Sequence, residues 1–477
     1  MKKLSYLFLL NIISLIFASS NIIAQPIQSL QESKYKNFSF GSYGRVGANW
    51  SFDVQGALAR TLNLNGMGML GGRMEEMDYL ELAPALHFVP SQTGINTEIN
   101  VQARFSVFNT GGQLFGNINS GSIGGLTFGL PELYAQAKHI NGTPWSVWVG
   151  ARLNRGGDVH IADYWYFDDH SSQGFGIEYG NTEFNTLFVS AVDTNSTLPP
   201  YFYVNTATGT PSLELRQRVV FAFMHTLEFG KNNKVKLLGE FHRLADGETD
   251  VDSLKPYLSY PSDIGWVIGA KHVMNLDSFS PGSFNELSIR YGNGIANGND
   301  GGMSKTWLTY GAPNLDTHKF TKAYSLTLVE HFLLNFSKSF TLNGYMIFTK
   351  SHGAAESDHM AKTYFDREVY NQKTDFATGI RSLLYITDIF HLINEVHFAV
   401  RKDGLNDAAS VLKFTIAPTL APTGERSAWA RPHLRFIYTI ALYNDFAKEN
   451  LYSPYLQAVG EKSIGQYFGV RAEWWIF

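Results

Sequence analysis

The residues of this chain best equipped for molecular recognition are tyrosines set beside ions at a spacing of two. Residues 38–50 read FSFGSYGRVGANW. One alternating set holds Ser39, Gly41, Tyr43, Arg45, Gly47 and Asn49, and the other holds Phe38, Phe40, Val46 and Trp50. Residues 79–88 repeat the scheme, with Tyr79, Glu81 and His87 on one side and Leu80, Leu82, Leu86 and Phe88 on the other. Side chains of a β-strand alternate between faces. Each stretch therefore has an apolar face and a face that sets a ring next to a charge. Such a face suits a sugar, whose C–H surfaces stack on rings and whose hydroxyls exchange hydrogen bonds with Arg, Asp or Glu. The same face would also line an unselective pore in which the tyrosines are incidental.

The rest of the chain supplies the elements that would position such faces. It has 477 residues, 44 Gly, 16 Pro and no Cys, with 14% aromatic and only 17% charged residues and a formal net charge of -4. Disulfides and Cys-ligated metals are excluded. Phosphate neutralisation on a nucleic acid is not expected from an acidic chain, nor is disorder from a chain that is 44% hydrophobic. Residues 1–25 carry Lys2 and Lys3, an apolar run from Leu7 to Phe17 and small residues near Ala18 and Ala24, the pattern of a secretory signal peptide. Residues 26–37 read as a loose polar lead-in, and 38–477 as a single domain. Beyond the signal, no run approaches the length of a transmembrane helix. An exported chain of this kind is soluble or a closed barrel in an outer membrane.

Alternation favours the barrel. In 392–400 the even set is Leu392, Asn394, Val396, Phe398 and Val400, against Ile393, Glu395, His397 and Ala399. In 435–443 Phe436, Tyr438, Ile440 and Leu442 alternate with Arg435, Thr439 and Tyr443. Eighteen strands are expected, near 38–52, 72–90, 96–109, 126–140, 144–155, 174–180, 182–194, 212–230, 232–246, 263–274, 283–296, 318–336, 339–353, 367–387, 390–404, 409–424, 431–444 and 465–477. Connections after even strands are mostly short and those after odd strands often long, as in outer-membrane barrels. An even count puts both termini on one side, expected to be periplasmic. A barrel of this size is wide enough for an aqueous channel.

The segment after the fifth strand reads WSVWVGARLNRGGDVHIADYWYFDDHSSQGFGIE over residues 145–178. It is too aromatic for a free loop, and folding into the lumen would bury its rings and narrow the channel. The run Asp158-Val159-His160, then Asp163, the aromatics at 164–167, Asp168 and Gly174 to Glu178 resembles the maltoporin (LamB-type sugar porin) family. Tyr43-Gly44-Arg45-x-Gly47, Tyr79-x-Glu81-Leu82 and Phe468-Gly469 with Glu473-x-Trp475 support the resemblance. It implies an 18-stranded trimeric porin with an inward-folded third external loop, in which an aromatic slide guides maltodextrins past flanking charges. Tyr43, Tyr79 and Trp475 match slide positions, and Trp165 stands where the family has a constriction tyrosine. Arg45, Glu81, Asp158 and Asp163 match the polar track, with His160 beside them. The family's arginine before the Asp-Val-His run is Gly156 here, with Arg155 adjacent, and Arg73 takes the place of a further track arginine.

Other readings of the same residues are weaker. Asp158, His160, Asp163, Asp168, Asp169 and His170 could be read as a metal cluster whose carboxylate oxygens would suit Ca²⁺, but no ligand spacing recurs, and no metal or other cofactor is expected. The match of 66–71 to G-x-G-x-x-G lacks a strand before and a helix after and reads as a glycine-rich external loop. Trp145 and Trp148 read as girdle or lipid-facing residues rather than a cofactor box. No G-x-S-x-G motif is present, and no enzyme is expected. Two functions stay open: a sugar-selective porin with oligosaccharide substrates, or a less selective channel or surface receptor on the same barrel.

Overall fold

The computed structural model describes residues 37–53, 60–88, 97–109, 126–190, 201–205, 210–214, 217–248, 259–298, 305–363 and 367–476. The expected signal peptide lies outside them. The described residues build eighteen long strands: β1 (Phe38–Trp50), β2 (Tyr79–Phe88), β3 (Glu98–Asn109), β4 (Leu126–Lys138), β5 (Trp145–Arg152), β6 (Ser172–Tyr179), β7 (Thr182–Ser190), β8 (Gln217–Phe229), β9 (Asn233–Leu244), β10 (Asp263–Asn275), β11 (Phe284–Gly294), β12 (Tyr324–Ser337), β13 (Phe340–His352), β14 (Gln372–Tyr385), β15 (Phe390–Asp403), β16 (Ala409–Leu420), β17 (His433–Tyr443) and β18 (Ile464–Ile476). Consecutive strands pair antiparallel. The sheet closes where β1 pairs with β18 from Ser42↔Ile476 to Trp50↔Phe468. The expected closed 18-stranded antiparallel barrel is therefore present.

Period two decides which way each side chain faces. In β18 Tyr467, Arg471 and Glu473 are buried, while Ile464 and Ile476 between them and the exterior are exposed. Across the barrel the outer face shows large apolar side chains such as Phe40, Leu86, Phe128, Val149, Ile268 and Phe436. An apolar surface of that extent would aggregate in water and is at home in lipid. Trp145 follows this rule at 41% exposure. Trp148 does not: it is buried on the inner face, its Nε1 donates to Asn185 Oδ1 at 3.0 Å, and it packs with Leu187, Val220 and Trp307. The strand alternates around both tryptophans, so residues three apart must face opposite ways.

Residues 60–78, between β1 and β2, correct a second expectation. The second strand begins at Tyr79, not near 72, and the glycine-rich stretch of the β1–β2 connection is packed rather than free. Leu62, Leu64, Met67 and Leu70 are buried in one cluster with Tyr345, Val411, Tyr443 and Tyr455. Gly66 and Gly72 have φ of 72° and 108°, and a Cβ on them would meet Arg401 Nη1 at 2.4 Å and His397 Cδ2 at 2.8 Å. The glycines thus serve left-handed turns and close packing. Burying each large apolar side chain here contributes about 1.5–3 kcal/mol. The segment is tied down by Lys413 of β16, whose Nζ lies 2.7 Å from Glu75 Oε1 and donates to Asn63 Oδ1 at 2.8 Å. Two short helices, α1 (Asp445–Glu449) and α2 (Pro454–Val459), follow β17, capped by Asn444 and Ser453. From α2 come Tyr455 and Leu456, which pack on Leu62 and its neighbours.

Lys413 and Glu75 are both almost wholly buried. Removing one partner leaves the other charge uncompensated, at a cost of about 3–5 kcal/mol. Lys413→Met is expected to release residues 60–78 without opening the barrel. Limited proteolysis of the folded protein in detergent checks this: new cleavage within 60–78 is expected, and protection equal to wild type contradicts it.

Candidate functional site

The barrel seam brings the two ends of the chain into one surface. Tyr43 of β1 stands between Glu81 of β2 and Trp475 of β18. Two residues on, Arg45 stands between Tyr79 and Glu473. Beyond them Tyr79 is opposite Phe108 of β3, and Glu473 opposite His433 of β17. Rings and charges thus alternate across neighbouring strands on the inner face. The Tyr43 and Tyr79 rings lie 5.8 Å apart, those of Tyr79 and Phe108 6.4 Å, and those of Trp475 and Trp429 6.4 Å. Arg45 sits 5.0 Å over the Tyr79 ring and Arg431 4.2 Å over Trp475, within cation–π range.

Glu473 organises the charges. It accepts from Arg435 Nη2 at 2.8 Å and Tyr43 OH at 3.2 Å, has His433 Nε2 at 3.0 Å, and pairs with Arg431 at 3.2 Å and Arg73 at 3.7 Å. Arg73 also pairs with Glu76 at 2.6 Å, donates to Tyr43 OH at 2.9 Å and reaches His160 Nδ1 at 2.8 Å. Arg45 donates to Tyr43 OH at 2.9 Å and to Met77 O at 2.8 Å. On the far side Glu81 accepts from Tyr79, and Arg104 bridges Glu81 and Glu132 at 2.6 and 2.7 Å. Charged hydrogen bonds in such networks hold long side chains in fixed positions.

Residues 153–171, between β5 and β6, contact both halves of the barrel. On the β17–β18 side His160 lies 3.2 Å from Arg431 Nη2 and 5.7 Å from the Trp475 ring. On the opposite side Tyr166 donates to Glu286 of β11, Phe167 O accepts from Arg290 at 3.0 Å, and Asp168 accepts from Lys236 of β9 at 2.7 Å. A short hairpin, Gly157–Val159 with Tyr164–Tyr166, places Asp158 opposite Trp165. Arg155 lies 4.7 Å over the Trp165 ring. The glycine at 156 has a steric cause, because a Cβ there would fall 1.6 Å from Asp168 Oδ1.

Electrostatics separate the two carboxylates of this segment. Burial raises Asp158, the neighbouring Asp163 adds to it, and together they push its carboxyl up to about 8 against Arg73 and Arg155. Burial acts the same way on Asp163, but Arg73 and Arg45 outweigh it and hold its carboxyl below the usual range. His160 is held well below its usual value by burial and then by Arg73.

Of the residues singled out from sequence, Tyr43, Arg45, Arg73, Tyr79, Glu81, His160 and Trp475 come together around the seam. Arg155, Asp158, Asp163 and Trp165 are gathered in the adjoining 153–171 connection. Glu76, Phe108, Trp429, Arg431, His433 and Arg435 were not singled out. Phe108 and Arg435 lie on strands whose alternation marks their face. Trp429 lies in the β16–β17 connection, where no periodicity points to it, and Arg431 lies just before β17, which starts at His433 and not at 431.

The LamB porin family matches residues 38–475, almost the whole chain. The chain belongs to the LamB porin family. Solved structures similar to it include Acinetobacter baumannii OccAB1, at 11% identity and TM-score 0.45, covering 94% of this chain and 99% of that one. Another is an anion-selective porin from Comamonas acidovorans, at 10% identity and TM-score 0.40, covering 92% and 99%. Salmonella typhi OmpF in complex with daunomycin matches at 7% identity and TM-score 0.39, covering 92% and 98%. Membership in the LamB porin family and the closed barrel support an outer-membrane sugar porin of a Gram-negative cell, a passive channel for small solutes.

The raised Asp158 has a measurable consequence. Its carboxylate forms as pH rises through about 8, adding negative charge beside the channel residues. Cation-over-anion permeability of this LamB porin is expected to rise between about pH 7 and 9. Reversal potentials in a salt gradient measure it; the rise should vanish in Asp158→Asn, and a flat wild-type profile contradicts the assignment.

Proposed function

We propose that this LamB porin facilitates passive diffusion of maltodextrin-type oligosaccharides along a file of rings, Trp429, Trp475, Tyr43, Tyr79 and Phe108. The observation that carries this reading is the alternation across the seam, where every ring stands beside a charged or hydroxyl group. A glucose unit offers the same alternation, with apolar faces and a rim of hydroxyls. Rings would replace water on the faces while Arg45, Arg73, Glu81 and Glu473 exchange hydrogen bonds with the rim. Because these ions are already fixed to one another, the track need not reorganise as a sugar moves from ring to ring.

In this reading residues 153–171 narrow the channel, with Asp158, Asp163 and Trp165 beside the path. A tryptophan fills more space than a tyrosine and offers a donor without a hydroxyl acceptor, which favours narrow, linear chains. The start of β1 and the end of β18 lie at the same end of the barrel, and we place that end in the periplasm, where the short connections belong. A homotrimer is part of the same proposal and follows the family resemblance.

Single-channel recording with maltodextrins tests the reading. Sugar is expected to block ion current, and Tyr79→Ala or Trp475→Ala should each raise the half-blocking concentration about threefold to tenfold. Current indifferent to any sugar would instead mark a general diffusion pore.

A further inference from the structure

The membrane-facing side of β13, β14 and β15 carries a basic row that the channel does not use. The register sets Lys350 opposite Thr374, and Thr374 opposite Lys402. Their strand neighbours Thr349, Ser351, Lys373, Asp375, Arg401 and Asp403 are buried on the inner face, whereas Lys350 and Thr374 are half-buried and Lys402 is exposed. Paired strands lie about 4.8 Å apart, so the two lysine stems stand about 10 Å apart with one hydroxyl between them. The acids of these strands, Asp375, Glu395 and Asp403, are all buried. The outer face of the three strands is therefore positive.

Two further features define what fits there. The first is depth. Outward-facing Trp266, Tyr291, Tyr324 and His352 form a continuous file at the same end of the barrel, with centroids 5.6, 6.5 and 5.6 Å apart, the last two pairs stacked. His352 is two residues along β13 from Lys350. Aromatic files of this kind settle at the level of lipid headgroups. The second is what lies beneath. The next outward rung is Phe348, Phe376 and Val400, directly opposite one another, and below it come Met346, Thr378 and Phe398. A soluble anion has no use for that hydrocarbon surface. An amphiphile with an anionic head and acyl chains matches both parts.

We propose that this face binds a phosphate-bearing anionic lipid of the leaflet at the end opposite the start of β1 and the end of β18. Its phosphate lies between the Lys350 and Lys402 ammonium groups, with the Thr374 hydroxyl donating a hydrogen bond, and its chains run over Phe348, Phe376 and Val400. Lysine stems reach a headgroup phosphate from an apolar surface without burying their charge.

Full-length protein in detergent, mixed with phosphatidylglycerol or phosphatidylcholine, tests this by native mass spectrometry of retained lipid. Phosphatidylglycerol should be retained in preference. Lys350→Ser with Lys402→Ser should weaken that retention about twenty-five-fold, while Lys231→Ser, in the turn at the other end, should leave it unchanged. Equal retention of the two lipids, or equal retention by the double variant, overturns the proposal. So does cross-linking that shows this face covered by a second copy of the chain. Sugar block of current reads the lumen alone, so failure of the lipid site and failure of the sugar track are separately visible.

Discussion

A backbone that crosses lipid must satisfy every N–H and C=O within itself, and for a sheet this requires that its two edges meet. Here they meet along β1 and β18, from Ser42↔Ile476 to Trp50↔Phe468. The same seam assembles the proposed recognition surface. Tyr43 and Trp475 are 432 positions apart and become direct neighbours only because the edges must pair. Arg45 and Glu473 become neighbours in the same way. Barrel closure and the proposed recognition surface thus depend on one set of strand registers.

Two connections reach across to distant strands. Residues 60–78 pack against β13, β16, β17 and the α2 helix through a buried apolar cluster and the Lys413–Glu75 pair. Residues 153–171 reach from Arg431 and Trp475 to Glu286 and Lys236. The charges that hold these segments are paired almost throughout. A buried unpaired ion costs more than the fold can spare, and a paired one still presents donors and acceptors to a passing solute.

The barrel was legible because period two is a local property. Each strand must show one face to lipid and one to the interior, and that demand is written residue by residue, as in 392–400. Strand count and connection lengths followed from it. Alternation carries no information outside the strands or about residue type. A strand start near 72 does not hold, because 72–78 packs as a turn-rich segment in which Gly72 meets His397. Residue type suggests a girdle or lipid-facing place for Trp148, but the alternation of its own strand points it inward.

Sequence by itself determined the export signal expectation, the barrel, the face on which Tyr43, Arg45, Tyr79 and Glu81 lie, and the resemblance borne by Asp158-Val159-His160. All of these rest on neighbours within a few residues. Only the tertiary structure decided that Glu473 binds Arg73, Arg431 and Arg435 together, that Trp429 and Phe108 extend the file of rings, and that Lys413 anchors Glu75. Those partners are brought together by strand register and loop packing, which join residues hundreds of positions apart, and no local periodicity encodes which distant side chain will stand opposite.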